Sequence, residues 1–545
     1  MRARQVLDLI AKRVLHRSRA AGSPAAVKLS GNLLAIAPVA IQSDQDLEAG
    51  VGFLNRYVPF DHGKVDWRSA DQAKLWRYNL HYFDYLLWPR VTAARKRALI
   101  DSWIRENPVG AEDAWEPYTV SLRLVNWIKF LVLEMADAEI PVHWVDSLAL
   151  QAAWLEGNLE THILANHYLK NAKTLVFAGA FFEGERAEVW RNQGVAIFSA
   201  QLDEQFMASG AHYELSPMYH CICVEDILDV LNLVQQKVSL FGEDFVRQLR
   251  DTARYGLDFL AAILLPDGRI PLFNDSAFGI APEPDALFAY AERLFGYTVS
   301  EGLPMAFPDA GYFVLGNADN RMVVDCGPIN PSYQPGHTHC DMLSYELALD
   351  GRRIVVDAGV HDYENSDARR YCRSTAAHNT VGVDEAEQSE LWGVFRVARR
   401  ACPVAASLRR LKDGETVFEG ELAGFPAVDG EIRHHRLVEY KSPNVWSVTD
   451  QVRGSGEHSV DSFIHLHPDF RLHCDDGTYV VEDDTGACYA RIEPFGAAAV
   501  EIIEGWHYPE FGMAQDNSVL RLHWHGSLPA TFGYRILGVE SAPVN

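Results

Sequence analysis

The chain has 545 residues, 74 acidic against 49 basic for a net charge of −25, with 48% hydrophobic and 11% aromatic residues. That is more chain than one core usually absorbs, so two large domains are expected, and 13 Trp, 21 Tyr and 26 Phe exclude wholesale disorder. The acidic balance argues against a general nucleic-acid binder, which needs a broad basic face; any polyanionic ligand would have to be met by locally placed cations.

In chain order, the N-terminus MRARQVLDLIAKRVLHRSRAAG has charges breaking every apolar run, so it lacks the continuous core of a secretory signal. No stretch reaches the roughly 18 to 20 apolar residues of a membrane-spanning helix. Arg2, Arg4, Lys12, Arg13, Arg17 and Arg19 lie beside Val6, Leu7, Ile10 and Val14 at helical spacing. Residues 1–45 therefore read as a tail or loosely docked helix, a reading favoured over a membrane-surface anchor. The eight cysteines show no paired CxxC pattern and are expected to be reduced, in keeping with a cytoplasmic protein.

From about Ala73 to Pro266 apolar residues recur at three and four, as in SLRLVNWIKFLVLEM and VEDILDVLNLVQQKVSLF, which predicts successive helices. After about Leu303 the pattern becomes β-branched, aromatic and alternating, as in NRMVVDCG and LSYELALDGRRIVVDAG, with Asp-Gly turns. Many helices followed by many strands points to stacked domains. The breaker-rich GYTVSEGLPMAFPDAG marks the boundary, giving domains over 46–302 and 303–545.

Within the helical half, Asn166, His167, Lys170 and Asn171 interrupt an apolar pattern, with His167 and Asn171 on one face. Such groups need partners, so the alternatives are a structural hydrogen-bonded network, favoured for this segment alone, or a site opening into a cavity. In SGAHYELSPMYHCI, Ser216-Pro217 predicts a helix start with Tyr219 and His220 in its first turn. A tyrosine in that position is usually a packing residue with a wet hydroxyl.

The densest cluster runs from Pro331 to Asp384. His337 and His339 are two apart, which on an extended segment sends both rings to one side. Two histidines and one carboxylate leave an open position at tetrahedral zinc, making His339, Asp357 and His378 a candidate ligand set. The spacing matches no zinc motif, and by themselves these residues favour hydrogen-bonded strand ends. If Asp350-Gly351 makes a two-residue hairpin turn, Asp357 lies opposite Ser344 and His339 is five residues further on, about 16 Å away at strand rise. A shared metal then requires a bulge or a turn-back in HTHCD.

LWRYNLHYFDYL (75–86), WEPYTVSLRLVNWI (115–128), LANHYLKNAKTLVFAGAFF (164–182), GAHYELSPMYH (210–220) and the block from HTHCD to AHNT together resemble the heparinase II/III superfamily of polysaccharide lyases. The resemblance implies an α+β multidomain chain, with an N-terminal incomplete (α/α) toroid followed by a C-terminal antiparallel β-sandwich. It implies cleavage of a uronic-acid-containing polysaccharide, a bacterial exopolysaccharide or glycosaminoglycan-like polymer, by β-elimination. The partner is then an anionic polysaccharide or oligosaccharide.

Removing the C5 proton of a uronate builds charge on its carboxyl group, which must be neutralised before a modest base can act. By resemblance Asn166, with His167, matches the carboxylate-contacting position. Tyr219 is the acid, and on some epimers also the base. His337 and His167 are candidate bases, since imidazole titrates near working pH. His339, Asp357 and His378 match positions that hold a structural zinc in part of the superfamily; no organic cofactor is expected. Arg373 is the choice for a substrate carboxylate, because guanidinium binds it in a bidentate fashion. Arg369 and Arg370 either join that patch or form a solvated face paired with Asp362, Glu364 and Asp367. Arg123 is a substrate contact or an internal partner, and Tyr213 is a further candidate for substrate contact.

Three rivals remain. A uronyl C5-epimerase uses the same proton abstraction but returns the proton to the opposite face. A toroidal glycoside hydrolase would draw paired carboxylates from Glu214, Asp226 and Asp275. A non-catalytic polysaccharide-binding or assembly factor fits the missing signal peptide.

Overall fold

The computed structural model describes residues 43–135, 139–302, 305–411 and 414–539, with 5, 34 and 37–39. The expected basic N-terminal helix lies almost wholly outside these residues. A short hairpin, Gly50–Phe53 with Arg56–Pro59, is followed by helices as far as Phe295, and strands dominate from Ala306 onward. Among the described residues no helix is long and apolar enough to cross a membrane.

The chain divides into two units: residues 1–206, 221–257 and 279–299, and residues 207–220, 258–278 and 300–545. The segments carrying Tyr219 and Asp275 thus group with the strands, although both precede the change of sequence pattern near residue 300.

The first unit is an incomplete (α/α) toroid. Pro117 opens the helix Pro117–Glu134, where its fixed φ suits the first turn and its missing N–H costs nothing. The helix Ala165–Phe181 is buried along nearly its whole length. Small residues let the helix Glu185–Gln205 approach it closely: a Cβ on Gly179 would lie 2.5 Å from the Arg191 backbone nitrogen, and one on Gly194 would lie 2.7 Å from that of Val176. Buried lysines inside this unit are paired with carboxylates. Lys170 donates to Asp226 at 2.6 Å, and Lys129 lies 2.6 Å from Asp229.

The second unit is an antiparallel β-sandwich. A five-stranded meander runs Ala306–Phe307, Tyr312–Gly316, Arg321–Asp325, Tyr345–Leu349 and Arg352–Val355 in sequence order. Its faces are both covered: Phe313, Leu315 and Leu347 pack into the main core with Phe418, Val438 and Trp446, while Tyr312, Val314 and Val323 pack with Phe259, Ile263 and Phe273. Glu346 on a central strand is buried with them, and is satisfied by Arg353 at 2.7 Å and the Leu272 backbone N–H at 2.6 Å. An eight-stranded sheet and a four-stranded sheet complete the sandwich.

The Asp350-Gly351 turn forms as expected, with both residues at positive φ and Leu349 opposite Arg352. A register shift past Ala348 then sets Val355 opposite Leu347, which supplies the bulge that a convergence of Asp357 with the HTHCD segment requires.

The helix crossing gives a direct test. Gly194→Ala places a methyl group against the backbone of Leu175 and Val176, so urea denaturation should show a loss of about 1–3 kcal/mol.

Candidate active site

In the second unit the site is built around Asp275, in an irregular segment that follows Asn274 at φ 55°. Its Oδ2 lies 2.9 Å from His337 Nδ1, and its Oδ1 lies 2.8 Å from His339 Nε2. The Arg369 guanidinium bridges both carboxylate oxygens, with Nη2 at 3.0 Å from Oδ2. Burial alone would raise the Asp275 pKa, but Arg369 and the two histidines outweigh it and hold the carboxyl well below its ordinary value. An ionised carboxylate can only accept, so His337 carries its proton on Nδ1 and His339 on Nε2. The Asp275 backbone N–H also donates to the His337 carbonyl at 3.0 Å, closing a two-point clamp.

Tyr219 enters from the first turn of the helix Pro217–Gln235, where the sequence places it. Ser216 Oγ accepts from the Tyr219 N–H at 3.3 Å and donates to the Asp275 carbonyl at 2.6 Å, while Ser276 Oγ accepts from the Met218 N–H at 3.3 Å. The helix start is therefore tied to the Asp275 segment. The Tyr219 ring stacks on His337 with centroids 3.9 Å apart, and its hydroxyl lies 3.2 Å from that of Tyr363. Burial raises the Tyr219 pKa above the ordinary phenol value, so the hydroxyl is a proton donor at neutral pH. Glu214 Oε1 lies 3.7 Å from His337 Nε2.

Asn166 and His167 lie in the first unit, at the start of the helix Ala165–Phe181. Leu164 and Ala165 before them hold φ of 66° and 54°, a left-handed pair of non-glycine residues of the kind that clusters at functional sites. Glu160 Oε1 lies 2.9 Å from His167 Nδ1, Glu160 Oε2 accepts from Asn171 at 2.9 Å, and the Tyr118 ring sits 4.3 Å from the imidazole. Burial would raise Glu160, but His167 and Asn171 lower it, so the carboxylate fixes the imidazole as Asp275 fixes His337.

The cation candidates rearrange relative to the sequence expectation. Ligand atoms of His339, Asp341 and His378 all lie within 4.8 Å of one another. His339 Nδ1 and His378 Nε2 are buried without a hydrogen-bond partner, an arrangement that costs free energy unless something else fills it. Asp357 is not in that group: its Oδ2 lies 2.8 Å from His378 Nδ1, behind the ring, so Asp341 replaces it as the carboxylate. Asp357 does meet His378 as the sequence reading expected, but at Nδ1 rather than at the open Nε2. Burial pushes the Asp341 carboxyl up to about 6, with Asp357 adding to the rise. Two open imidazole nitrogens beside crowded carboxylates fit a divalent cation.

Other candidates fall outside the reacting groups. Arg373 is buried, and its guanidinium donates to the carbonyls of Thr338, Gly393 and Arg396, so it clamps loops. Arg123 is also buried, stacked 3.9 Å from the Trp103 ring and donating to Gln151, the internal alternative. Tyr213 is buried, with its hydroxyl 2.8 Å from that of Tyr333. Arg370 pairs on the surface with Asp367, whereas Arg369 is neither solvated nor paired with Asp362, Glu364 or Asp367. Of the hydrolase carboxylates, Asp226 is paired to Lys170 and Lys173, and Asp275 is held ionised and cannot serve as a proton donor. Tyr363 carries no sequence signal; nothing in VHDYENSD sets it apart.

Comparison with known proteins follows this geometry. Residues 54–283 match the family model described as heparinase II/III N-terminus, and residues 302–535 match heparinase II/III-like, C-terminal. A heparin-sulfate lyase of Bacteroides stercoris is 25% identical over 405 residues, covering 67% of this chain and 59% of that protein. One from Pedobacter heparinus is 27% identical over 393 residues, covering 59% and 58%. The chain thus spans about three fifths of the length of these curated relatives. A heparinase III crystal structure superposes with a TM-score of 0.72 at 20% identity, covering 89% of this chain and 80% of that one.

The Asp275 cluster predicts a contrast between two arginines. Arg369→Ala leaves a buried carboxylate without its cation and should cost about 3–5 kcal/mol, whereas Arg370→Ala should cost at most about 1 kcal/mol, both by urea denaturation. Because the Asp275 pKa is depressed on folding, its stabilisation is present above the ordinary carboxylate value of about 4 and is lost as pH falls through the folded-state value. Asp275→Asn should therefore flatten the acid limb of the stability profile.

Proposed function

Since the chain belongs to the heparinase II/III superfamily, we propose that it is a polysaccharide lyase that cleaves a uronate-containing glycosaminoglycan by β-elimination. The single observation that carries the reading is the stack of Tyr219 on His337, with the imidazole held by the Asp275–Arg369 pair. The heparin-sulfate lyase relatives support heparan sulfate as the first substrate to test.

In this reading Asn166 and His167 hydrogen-bond the uronate carboxylate and offset the charge that builds on it, as the resemblance assigns. That lowers the pKa of the C5 proton enough for a neutral imidazole to remove it. His337 is suited to the task because its Nδ1 proton is engaged by Asp275, which leaves Nε2 as the accepting atom and stabilises the imidazolium that forms. Tyr219 keeps its proton at working pH and donates it to the departing O4. Glu214, 3.7 Å from His337 Nε2, is placed to take the proton onward. His339, Asp341 and His378 would hold a divalent cation, zinc by their ligand types, which would brace the loop carrying His337.

Purified protein should raise the ultraviolet absorbance of the 4,5-unsaturated uronate on heparan sulfate within a panel of uronic-acid polysaccharides. Tyr219→Phe should abolish that signal with an unchanged thermal midpoint; full residual activity removes Tyr219 from the mechanism. Metal analysis should find about one divalent ion per chain. His339→Ala should lose both the ion and thermal stability, and a metal-free unmutated protein would reduce those residues to a hydrogen-bonded loop anchor.

A further inference from the structure

Two short strands, Leu391–Trp392 and Arg396–Val397, form a hairpin in the second unit. Its tip carries two of the exposed large apolar side chains, Trp392 at 58% and Phe395 at 42% exposure. Single exposed aromatics are ordinary, but this pair sits on a tip that is firmly held. Arg369 Nη2 donates to the Val394 carbonyl at 3.1 Å, and Arg373 Nη1 donates to that of Gly393 at 2.9 Å. Both guanidinium groups are buried, and Arg369 is the one that bridges Asp275. The tip is therefore anchored to the carboxylate that fixes His337.

The hairpin is also continuous with the candidate active site. Phe395 lies 5.3 Å, ring to ring, from Tyr363, whose hydroxyl is 3.2 Å from that of Tyr219. A Cβ on Gly336, next to His337, would lie 4.0 Å from the Cβ of Phe395. Charge runs against the rest of the molecule here. In a chain of net charge −25, LWGVFRVARR (391–400) holds three arginines and no carboxylate. Arg399 is paired with Glu390, while Arg396 is exposed and makes no ion pair among the described residues.

We propose that the hairpin 391–397 is a substrate subsite, in which a pyranose ring of the anionic polymer stacks on Trp392 and its anionic substituent pairs with Arg396. A sugar ring offers an apolar C–H face and, in this polymer class, a charge at its edge, and an exposed indole beside a guanidinium complements both. The pre-formed tip means that little ordering accompanies binding. This inference rests on the lyase reading and deepens it by naming where the chain is held next to the reacting ring.

The test uses full-length Tyr219→Phe protein, which should hold the polymer uncut, and measures calorimetric Kd for a heparan sulfate hexasaccharide. Adding Trp392→Ala should weaken binding about tenfold, and Trp392→Phe, which keeps a ring, should recover most of that loss. Adding Arg396→Ala should weaken binding and lower its salt dependence. All three side-chain changes are at exposed positions and should leave the thermal midpoint in place. Unchanged Kd in Trp392→Ala and Arg396→Ala, with the Tyr219→Phe parent binding, overturns the subsite and leaves the lyase reading intact. A parent that binds neither this hexasaccharide nor other uronate oligosaccharides, while unmutated protein is inactive on the polymers, overturns both.

Discussion

One buried carboxylate organises the second unit's chemistry. Asp275 receives His337 on one oxygen, His339 on the other, and Arg369 across both. A lone carboxylate in that position would be neutralised by burial; with its cation and two imidazole donors it stays ionised and imposes a proton position on each ring. The orientation of His337 under Tyr219 follows from it. So does the direction of His339, whose remaining nitrogen points toward Asp341 and His378, and so does the placement of Arg369 beneath the 391–397 hairpin. His337, the His339–Asp341–His378 cluster and the exposed aromatic tip thus share a single anchor, and disturbing it disturbs all three.

The helical unit repeats the device on its own terms. Glu160, buried and ionised, orients His167 through Nδ1 and is in turn held by Asn171. Left-handed backbone stands next to each group: Leu164 and Ala165 before Asn166, Leu215 before the helix of Tyr219, and Asn274 before Asp275. Such conformations cost free energy and persist where surrounding contacts over-determine them. Here the hydrogen bonds that Ser216 and Asn274 donate, and the one that Ser276 accepts from Met218, provide that constraint for the second unit.

How much of this was legible in the chain depends on sequence distance. The run of helices followed by strands was, because periods of 3.6 and 2 survive in local sequence, while the toroid and the sandwich were implied by the family resemblance. Tyr219 in a first turn was legible because Ser216-Pro217 signals a helix start, and the Asp350-Gly351 turn because few residues adopt positive φ readily. Asp275 was not. PLFNDSAF has no period, and its partners lie 62, 64 and 94 residues away. Arg369 and Arg373 looked like a solvated or substrate-facing patch since neighbouring acids offered local partners, yet both fold inward to bonds 20 to 94 residues away. That Asp357 reaches Nδ1 of His378 and Asp341 lies near its open Nε2 was not legible either, since sequence does not fix which side of an imidazole a carboxylate meets.

Proton NMR of a defined heparan sulfate tetrasaccharide incubated with the protein in D2O tests the central claim most directly. The account predicts the vinylic H4 signal of a 4,5-unsaturated residue together with a new reducing end. Deuterium entering C5 of an uncleaved chain would contradict it, because proton abstraction would then proceed without loss of O4, the outcome of an epimerase.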